Sequence, residues 1–573
     1  MAQQDADTRF QQIYQHEWSW RTGQAGISTS GESQPNNGRL DEVDAASQQQ
    51  RLDYWNQIMR ELDAINVKQL TPEDQVNYAV YREQIRNFIA DQQFKQWQMP
   101  FNSDSAFWSE LGDDLGSDGL STTTDYQKYL DRLGQVPKYF AQQIDNMRAG
   151  LKRGFSVPQA VLNGRDVSIA AVAELKDPTQ SSFYQPFVHM PQSIPSADAA
   201  KLQAAARKKI ADDVIPAYAK LLTFFRTEYV PQARTTLAAE ALPDGKEYYR
   251  QQIREYTTLD MSPDAIHQIG LDQVAKIHAQ MLETMKQTDF KGSFPEFLHF
   301  LRTDPQFYAK TPDELLMRSA WVAKEVDGKL SKLFGHLPRE RFTIEPVAAD
   351  IAPYYTSGRG GPAVYLVNTY DLPSRPLYNM PALTLHESYP GHALQLELAD
   401  ESHGQPEFRR NGYISAYGEG WGLYSEYLGN EMGIYQTPYQ RFGFLTYQMW
   451  RACRLVVDTG IHHLGWTRQQ AIDYMTQNTA LSDREIANEV DRYISWPGQA
   501  LSYELGYLKI LELRAKAEKA LGPAFDVRHF HDTVLAIGSV PLPVLEQRID
   551  RFIAEGGPEP NYGCDCAKKG KAP

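Results

Sequence analysis

The stretch TPEDQVNYAVYREQIRNFI, Thr71–Ile89, carries the period on which the reading of the whole chain turns. Thr71 can cap free backbone N–H groups, and Pro72 takes the first helical position, where no N–H is needed. Glu73 and Asp74 then favour the positive helix end. Tyr78, Tyr81, Ile85, Phe88 and Ile89 follow at spacings of three and four, one face of a helix. The segment is read as a helix with a buried side.

The same punctuation recurs at Ser262-Pro263-Asp264 and Thr311-Pro312-Asp313-Glu314. The same spacing recurs through Phe140, Ile144, Met147 and Leu151, and through Leu202, Ile210, Val214, Tyr218, Leu221 and Phe225. A mainly α fold of many long helices, each burying one face, is therefore expected. The exception runs from about Phe342 to Thr369. There Phe342–Val347 and Ala363–Asn368 read as short strands of a β-ribbon, joined by a flexible Ser357-Gly358-Arg359-Gly360-Gly361-Pro362 loop. Two further stretches, Gly26–Gly38 and Asn102–Thr124, are rich in Gly, Ser, Asp and Thr and read as long loops. No fixed-period repeat appears, which argues against a solenoid. The 573 residues are read as one continuous helical domain, 1–573.

Composition narrows the function classes. With 42% hydrophobic and 23% charged residues the chain reads as an ordinary soluble globular protein. Seventy-two acidic residues outweigh 58 Lys and Arg, for a formal charge of −14, and no basic run interleaves with aromatics. Nucleic acid is disfavoured as a partner, because neutralising phosphates needs clustered cations. No stretch approaches the roughly 18 apolar residues of a membrane span, so no membrane partner is expected. Three cysteines, Cys453, Cys564 and Cys566, cannot build a disulfide framework; the last two sit in a polar tail with spacing that only weakly suggests metal. The first residues lack the basic and apolar regions of a signal peptide. That fits a cytoplasmic protein or the trimmed mature form of a periplasmic or secreted one.

The chemistry concentrates in His386-Glu387-Ser388-Tyr389-Pro390-Gly391-His392. In a helical zinc motif two imidazoles four residues apart share a face, and a glutamate beside them takes a proton from zinc-bound water. Here the histidines are six apart, which on a regular helix turns them roughly 240° from one another. Pro390 and Gly391, the residues most able to break a helix, are read as a local bulge that restores convergence. Alone, the His-Glu pair reads more readily as ordinary, partly buried polar residues beside a Pro-Gly turn, since single histidines are common. The segment Gly412–Asn430 changes that balance. It is an aromatic-rich helix with Glu419 in its apolar middle, where an ionised carboxylate is costly without a cation. Glu426, two turns on, either orients a ligand histidine from behind or is a surface carboxylate.

His386 through Gln395, with Glu419-Gly420-Trp421, resembles the bacterial domain-of-unknown-function 885 family, metallopeptidase-like proteins similar to the angiotensin-converting enzyme and thimet oligopeptidase group. Trp450–His462 and Arg492–Tyr503 extend the match, so that the matching segments span 354–506. The resemblance implies a two-lobed helical body around a deep channel, with His386, His392 and Glu419 as Zn2+ ligands and Glu387 as general base and acid. One departure is Ala393, where the family often has a second histidine. The resemblance also implies an oxyanion-stabilising side chain from a C-terminal helix. Tyr503 is the first candidate, with Arg492, Tyr493 and His462 behind it, each also readable as a packing or hydrogen-bonding residue. The ribbon around Ala363–Asn368, with Tyr365, is expected to pair with substrate backbone. Arg359 would meet a substrate carboxylate, or be a plain loop arginine.

The function expected is zinc-dependent hydrolysis of oligopeptides by a glutamate-activated, zinc-bound water. The alternatives are another zinc amidase or esterase, and a non-catalytic helical binding protein with a degenerate site. A serine hydrolase is not supported, since no Gly-x-Ser-x-Gly elbow is present.

Overall fold

The structure is a computed structural model that describes residues 2–23, 39–117, 119–349, 352–402 and 404–560. The loop expected at Gly26–Gly38 and the Cys564/Cys566 pair lie outside these residues. The chain divides into two compact units: residues 1–248 with 494–496, and residues 249–493 with 497–573. The fold is mainly α, with one small sheet.

In the first unit, helices α1 (Ala2–Gly23) and α3 (Pro72–Phe94) pack through Phe10, Tyr14, Tyr78 and Tyr81, and α2 (Ala45–Asp63) joins them through Trp55 against Trp20 and Phe88. The helix α3 begins as its sequence predicts, with the Thr71 side chain accepting from the Asp74 N–H. At the centre Glu17 and Arg21 form a buried ion pair at 2.9 Å. Burying that pair is tolerable because Tyr81 and Trp55 also donate to Glu17. The stripe from Leu202 to Phe225 is helical as expected, but widens into π turns at Ile210–Val214 and Phe225–Tyr229. Each lies just before a proline, Pro216 or Pro231. A proline cannot donate to the ladder and clashes with the carbonyl one turn back, and the wider turn accommodates it. The stretch Asn102–Thr124 is only partly loop: it contains an isolated bridge between Phe101 and Ala106 and a helical turn at Leu111–Asp114.

The second unit is built around α4 (Pro438–His462), in which every residue from Phe442 to His462 is buried. Its buried charges are partnered: Arg451 by Glu426, Arg454 by Glu489 and Asp458 by the Tyr249 hydroxyl and the Gly498 N–H. Helix α5 (Pro263–Lys286) crosses it where Gly270 rests on Leu455 and Val456. Helices α6 (Ser415–Glu431) and α7 (Ser502–Leu521) cross at a pair of glycines. A Cβ on Gly506 would stand 1.9 Å from the Ala416 carbonyl oxygen, and one on Gly420 would stand 2.5 Å from the Gly506 backbone. That close approach brings the Glu419 and Tyr503 helices together.

The sheet corrects two expectations. Strands β1 (Thr343–Pro346), β2 (Gly358–Gly361) and β3 (Val364–Val367) lie in the order β1-β3-β2. β1 and β3 run parallel, while β2 and β3 are antiparallel with Gly360 opposite Tyr365. The Gly-rich segment read as a flexible loop is thus mostly a strand. The strand expected to pair with substrate, β3, has both edges occupied, and β2 is the edge strand beside it. Among the described residues, no helix is long and apolar enough to cross a membrane.

Candidate metal centre

Helix α8 (Met380–Glu387) ends at Glu387, and α9 (His392–Asp400) begins at His392. The expected bulge is a complete break. Ser388 and Gly391, with ψ of −133° and −131°, leave the helical region, and the chain restarts in a new direction. Only glycine fits the return, since a Cβ on Gly391 would lie 1.9 Å from the His386 carbonyl oxygen. The break is pinned from two sides. The Trp421 indole donates to the Pro390 carbonyl at 2.8 Å, and Tyr389 meets Glu397, whose other oxygen accepts from the Ala363 N–H at 3.1 Å. The two imidazoles consequently converge, with ring centroids 4.8 Å apart and planes at 87°.

Glu419 from α6 completes a cluster. Its Oε2 stands 3.5 Å from His386 Nε2 and 3.4 Å from His392 Nε2, and one ligand atom from each of the three residues lies within 4.8 Å of the others. Ligand bonds of about 2.0–2.2 Å in a tetrahedron place neighbouring donor atoms roughly 3.3 Å apart, so this spacing suits a zinc-sized ion. The proton arrangement agrees. His386 Nδ1 lies 2.8 Å from Glu426 Oε1 and donates to that carboxylate, which in a neutral ring leaves Nε2 a bare lone pair facing Glu419. Two acceptors so placed require a cation between them. Without a metal that cation is a proton. Burial opposes the charge on His386, but hydrogen bonds to Glu419 and Glu426 and the charge of Glu387 outweigh it and raise its pKa to about 9. Glu419 is held well below the usual carboxylate range: burial acts against this, and the charges and hydrogen bonds of His392 and His386 prevail.

The surroundings orient these groups. Glu426 is fully buried, which decides between its two readings: it stands behind His386 and is itself met by Arg451 at 3.4 Å. Arg451 is stacked on Trp450. Glu387 is half-buried, and its Oε2 accepts from the Gly360 N–H of β2 at 2.7 Å. Gly360 must be glycine for this, because a Cβ there would stand 1.9 Å from the Glu387 carbonyl oxygen. Tyr413 donates to Glu419 Oε1 at 3.2 Å. The residue as a whole is 37% exposed, yet its hydroxyl is turned onto Glu419, and burial, then Glu419 and Tyr503, push the phenol well above its ordinary pKa.

The other candidates distribute as follows. Tyr503 is buried on α7, its oxygen accepting from Arg492 at 3.2 Å. Tyr365 is fully buried under the sheet, pointing to the core, while Arg359 is exposed on β2. His462 is fully buried and bonds the Tyr493 carbonyl at 2.8 Å; the Tyr493 hydroxyl takes Trp450 and Arg454. Both have packing partners of this kind rather than a place in the cluster.

Sequence reasoning missed Tyr413, Arg451, Gly360 and the glycines of α6. The glycines carried a signal: Gly418, Gly420 and Gly422 each cost a helix roughly 0.5–1 kcal/mol, so three in five residues mark close approaches. Gly418 lies against the Tyr413 ring, Gly420 against α7, and Gly422 against the His386 ring, which a Cβ would meet at 2.6 Å.

The chain matches the family model described as a bacterial protein of unknown function, DUF885, over residues 22–549. Among solved structures, a candidate lipoprotein from Colwellia psychrerythraea is 28% identical, with a TM-score of 0.87 over 97% of this chain and 100% of that one. A candidate lipoprotein of unknown function from Shewanella oneidensis, 19% identical, has a TM-score of 0.68 over 95% of this chain and 98% of that one, and shares the fold. No curated protein matches the chain.

Proposed function

The chain belongs to the DUF885 family of bacterial proteins of unknown function, and from its site geometry we propose that it is a zinc-dependent peptidase acting on oligopeptides. The observation that carries this reading is that Glu419 stands 3.4–3.5 Å from both His392 and His386, all three within 4.8 Å of one another, with Glu387 beside His386 on the broken helix. Those three side chains would hold the ion. Bound there, zinc supplies Lewis acidity, polarising a carbonyl and lowering the pKa of a water toward about 7.

The protein's own groups do the rest. Glu387 takes the proton of the attacking water and passes it to the leaving amine. The Gly360 N–H fixes that carboxylate, so the base and the edge of β2 form one unit. Extended substrate backbone adds along the outer edge of β2, the role first expected of β3. Tyr503 donates to the carbonyl oxygen as negative charge develops on it. Glu426 holds His386 in the tautomer that presents Nε2.

The test is cleavage of a mixed peptide library followed by mass spectrometry, with ester and acyl-amide panels on the same samples. Cleavage that a chelator removes and zinc restores is expected. Glu387→Gln should keep its metal and lose about 10²–10⁴-fold in rate. Turnover of esters or acyl amides alone would assign the site to another zinc hydrolase, and a metal-loaded protein that cleaves nothing would make it a binding protein.

A further inference from the structure

Tyr503 sits in a knot of charge contributed by α4 and by the helix Asp483–Ser495. Arg454 lies over its ring at 4.1 Å, and Arg492 Nη2 donates to its oxygen at 3.2 Å. The same Arg492 nitrogen donates to Gln499 Oε1 at 2.8 Å. Glu489 pairs with both arginines, at 2.7 Å to Arg454 and 3.5 Å to Arg492. Burial opposes the charge of Glu489, but the two arginines prevail and bring it down to about 2, so it stays ionised. Two guanidinium groups thus share the Glu489 carboxylate. The members of this knot are held by one another, so the Arg492 fork is oriented before any ligand arrives.

The hydrogen-bond direction adds the decisive point. Arg492 can only donate, so the Tyr503 oxygen is the acceptor and its own O–H is directed elsewhere. Among the described residues that proton has no acceptor. Tyr503 also lies close enough to Tyr413 to perturb it, and the Tyr413 hydroxyl is bonded to Glu419. The phenol is thus coupled through Tyr413 to the metal cluster, with a donor to offer and Arg492 bonded to its oxygen.

We propose that Arg492 is a positioning residue that orients and polarises the Tyr503 hydroxyl toward the oxyanion, instead of touching the substrate itself. This rests on the peptidase reading for its consequence, though not for the Arg492–Tyr503 coupling. An arginine donating to a phenol oxygen withdraws density from it and makes its O–H a stronger donor. Fixed in advance, that donor meets developing charge without reorganisation.

The experiment is a double-mutant cycle of Arg492→Met and Tyr503→Phe, with Arg492→Lys as the conservative variant, on zinc-loaded protein. It reads kcat and KM separately, together with calorimetric binding of a phosphinic peptide, whose anionic tetrahedral group resembles the oxyanion. Removing an oxyanion donor costs about 10²–10³-fold, so Tyr503→Phe should lose on that order and Arg492→Met roughly 10-fold of it. Both losses should fall on kcat and phosphinic-peptide affinity with KM unchanged. Arg492→Met should then cost nothing further in the Tyr503→Phe background, and Arg492→Lys should recover part of the loss. A rise in KM alone, or the same loss in both backgrounds, would overturn the proposal in favour of direct substrate contact. On metal-free protein labelled at tyrosine 13Cζ, the Tyr503 resonance, assigned by its disappearance in Tyr503→Phe, should shift in Arg492→Met; an unmoved resonance overturns the proposal whether or not the wild type cleaves peptides. Absence of peptide cleavage with a shifted resonance would contradict the peptidase reading while upholding the coupling.

Discussion

Helix α6 presents one histidine environment on each of two faces, and the two are opposites. Toward Glu419, Gly422 and Glu426 it faces His386; toward Trp421 and Tyr424 it faces His531, whose ring lies 5.9 Å from Trp421. Both imidazoles are buried. Yet His386 is raised to about 9, while His531 is lowered to about 3. Burial lowers both. Among the described residues the hydrogen-bond partners of His531 are the Leu333 carbonyl and the Tyr424 hydroxyl, with Arg514 nearby adding a further lowering. His386 meets three carboxylates, which reverse the sign. Enclosure makes a histidine a neutral structural part; an assembled set of anions makes a site that needs a cation.

The largest expected effect breaks the comparison on the neutral side. His531 in the folded chain titrates far below the ordinary value near 6.5, so between about 6.5 and 3 the unfolded chain binds a proton that the folded one refuses. The stability it contributes is complete above pH 6.5 and is lost as pH falls toward 3, roughly 5 kcal/mol across the window at about 1.4 per pH unit. Urea unfolding of wild type and His531→Gln at pH 7 and pH 4.5 measures this. The wild type should lose more on acidification, and parallel losses would refute the assignment.

On the charged side, Gly422→Ala should drive a methyl into the His386 ring, costing roughly 1–3 kcal/mol by overpacking and weakening metal binding. Isothermal titration with zinc and the unfolding midpoint read both effects. Glu426→Gln makes His386 more like His531 by exchanging a carboxylate for a neutral acceptor. Zinc affinity should fall about 10–100-fold, and an unchanged affinity would remove Glu426 from the support of His386. The smallest effect belongs to the residue joining the two faces. Trp421→Phe keeps the ring against His531 and loses the 2.8 Å bond to Pro390, for about 1 kcal/mol in the unfolding midpoint with the His531 pH window unmoved.

What could be read in advance follows from which interactions are local. Helix starts such as Thr71–Asp74 and Thr311–Glu314 were legible because a cap, a proline and an acid lie within four residues. That His386, His392 and Glu419 come together was expected from the motif, the carboxylate in an apolar helix and the family resemblance taken together. The break between α8 and α9 was read as a bulge, because Pro390 and Gly391 show that a helix is interrupted but not how far it turns. Gly358–Gly361 was read as a loop since glycine is a poor strand former. Its strand is made by pairing with β3 and by Glu387 accepting from Gly360, neither of which is local. Tyr365 illustrates the same limit: strand alternation sends it into the core, and only the pairing decides which face that is. Arg451 reaches the cluster from another helix through tertiary packing, and Tyr413, six residues before Glu419, stands ahead of α6 and folds back onto it; no spacing in the sequence announces either.

The most direct test of the metal centre is zinc stoichiometry by elemental analysis of purified wild type and His392→Ala after equilibration with equal zinc and removal of excess. About one ion per wild-type chain, lost in the variant while the helical circular dichroism is unchanged, is the predicted result. A variant that keeps its zinc, or a folded wild type that binds none, would contradict the account.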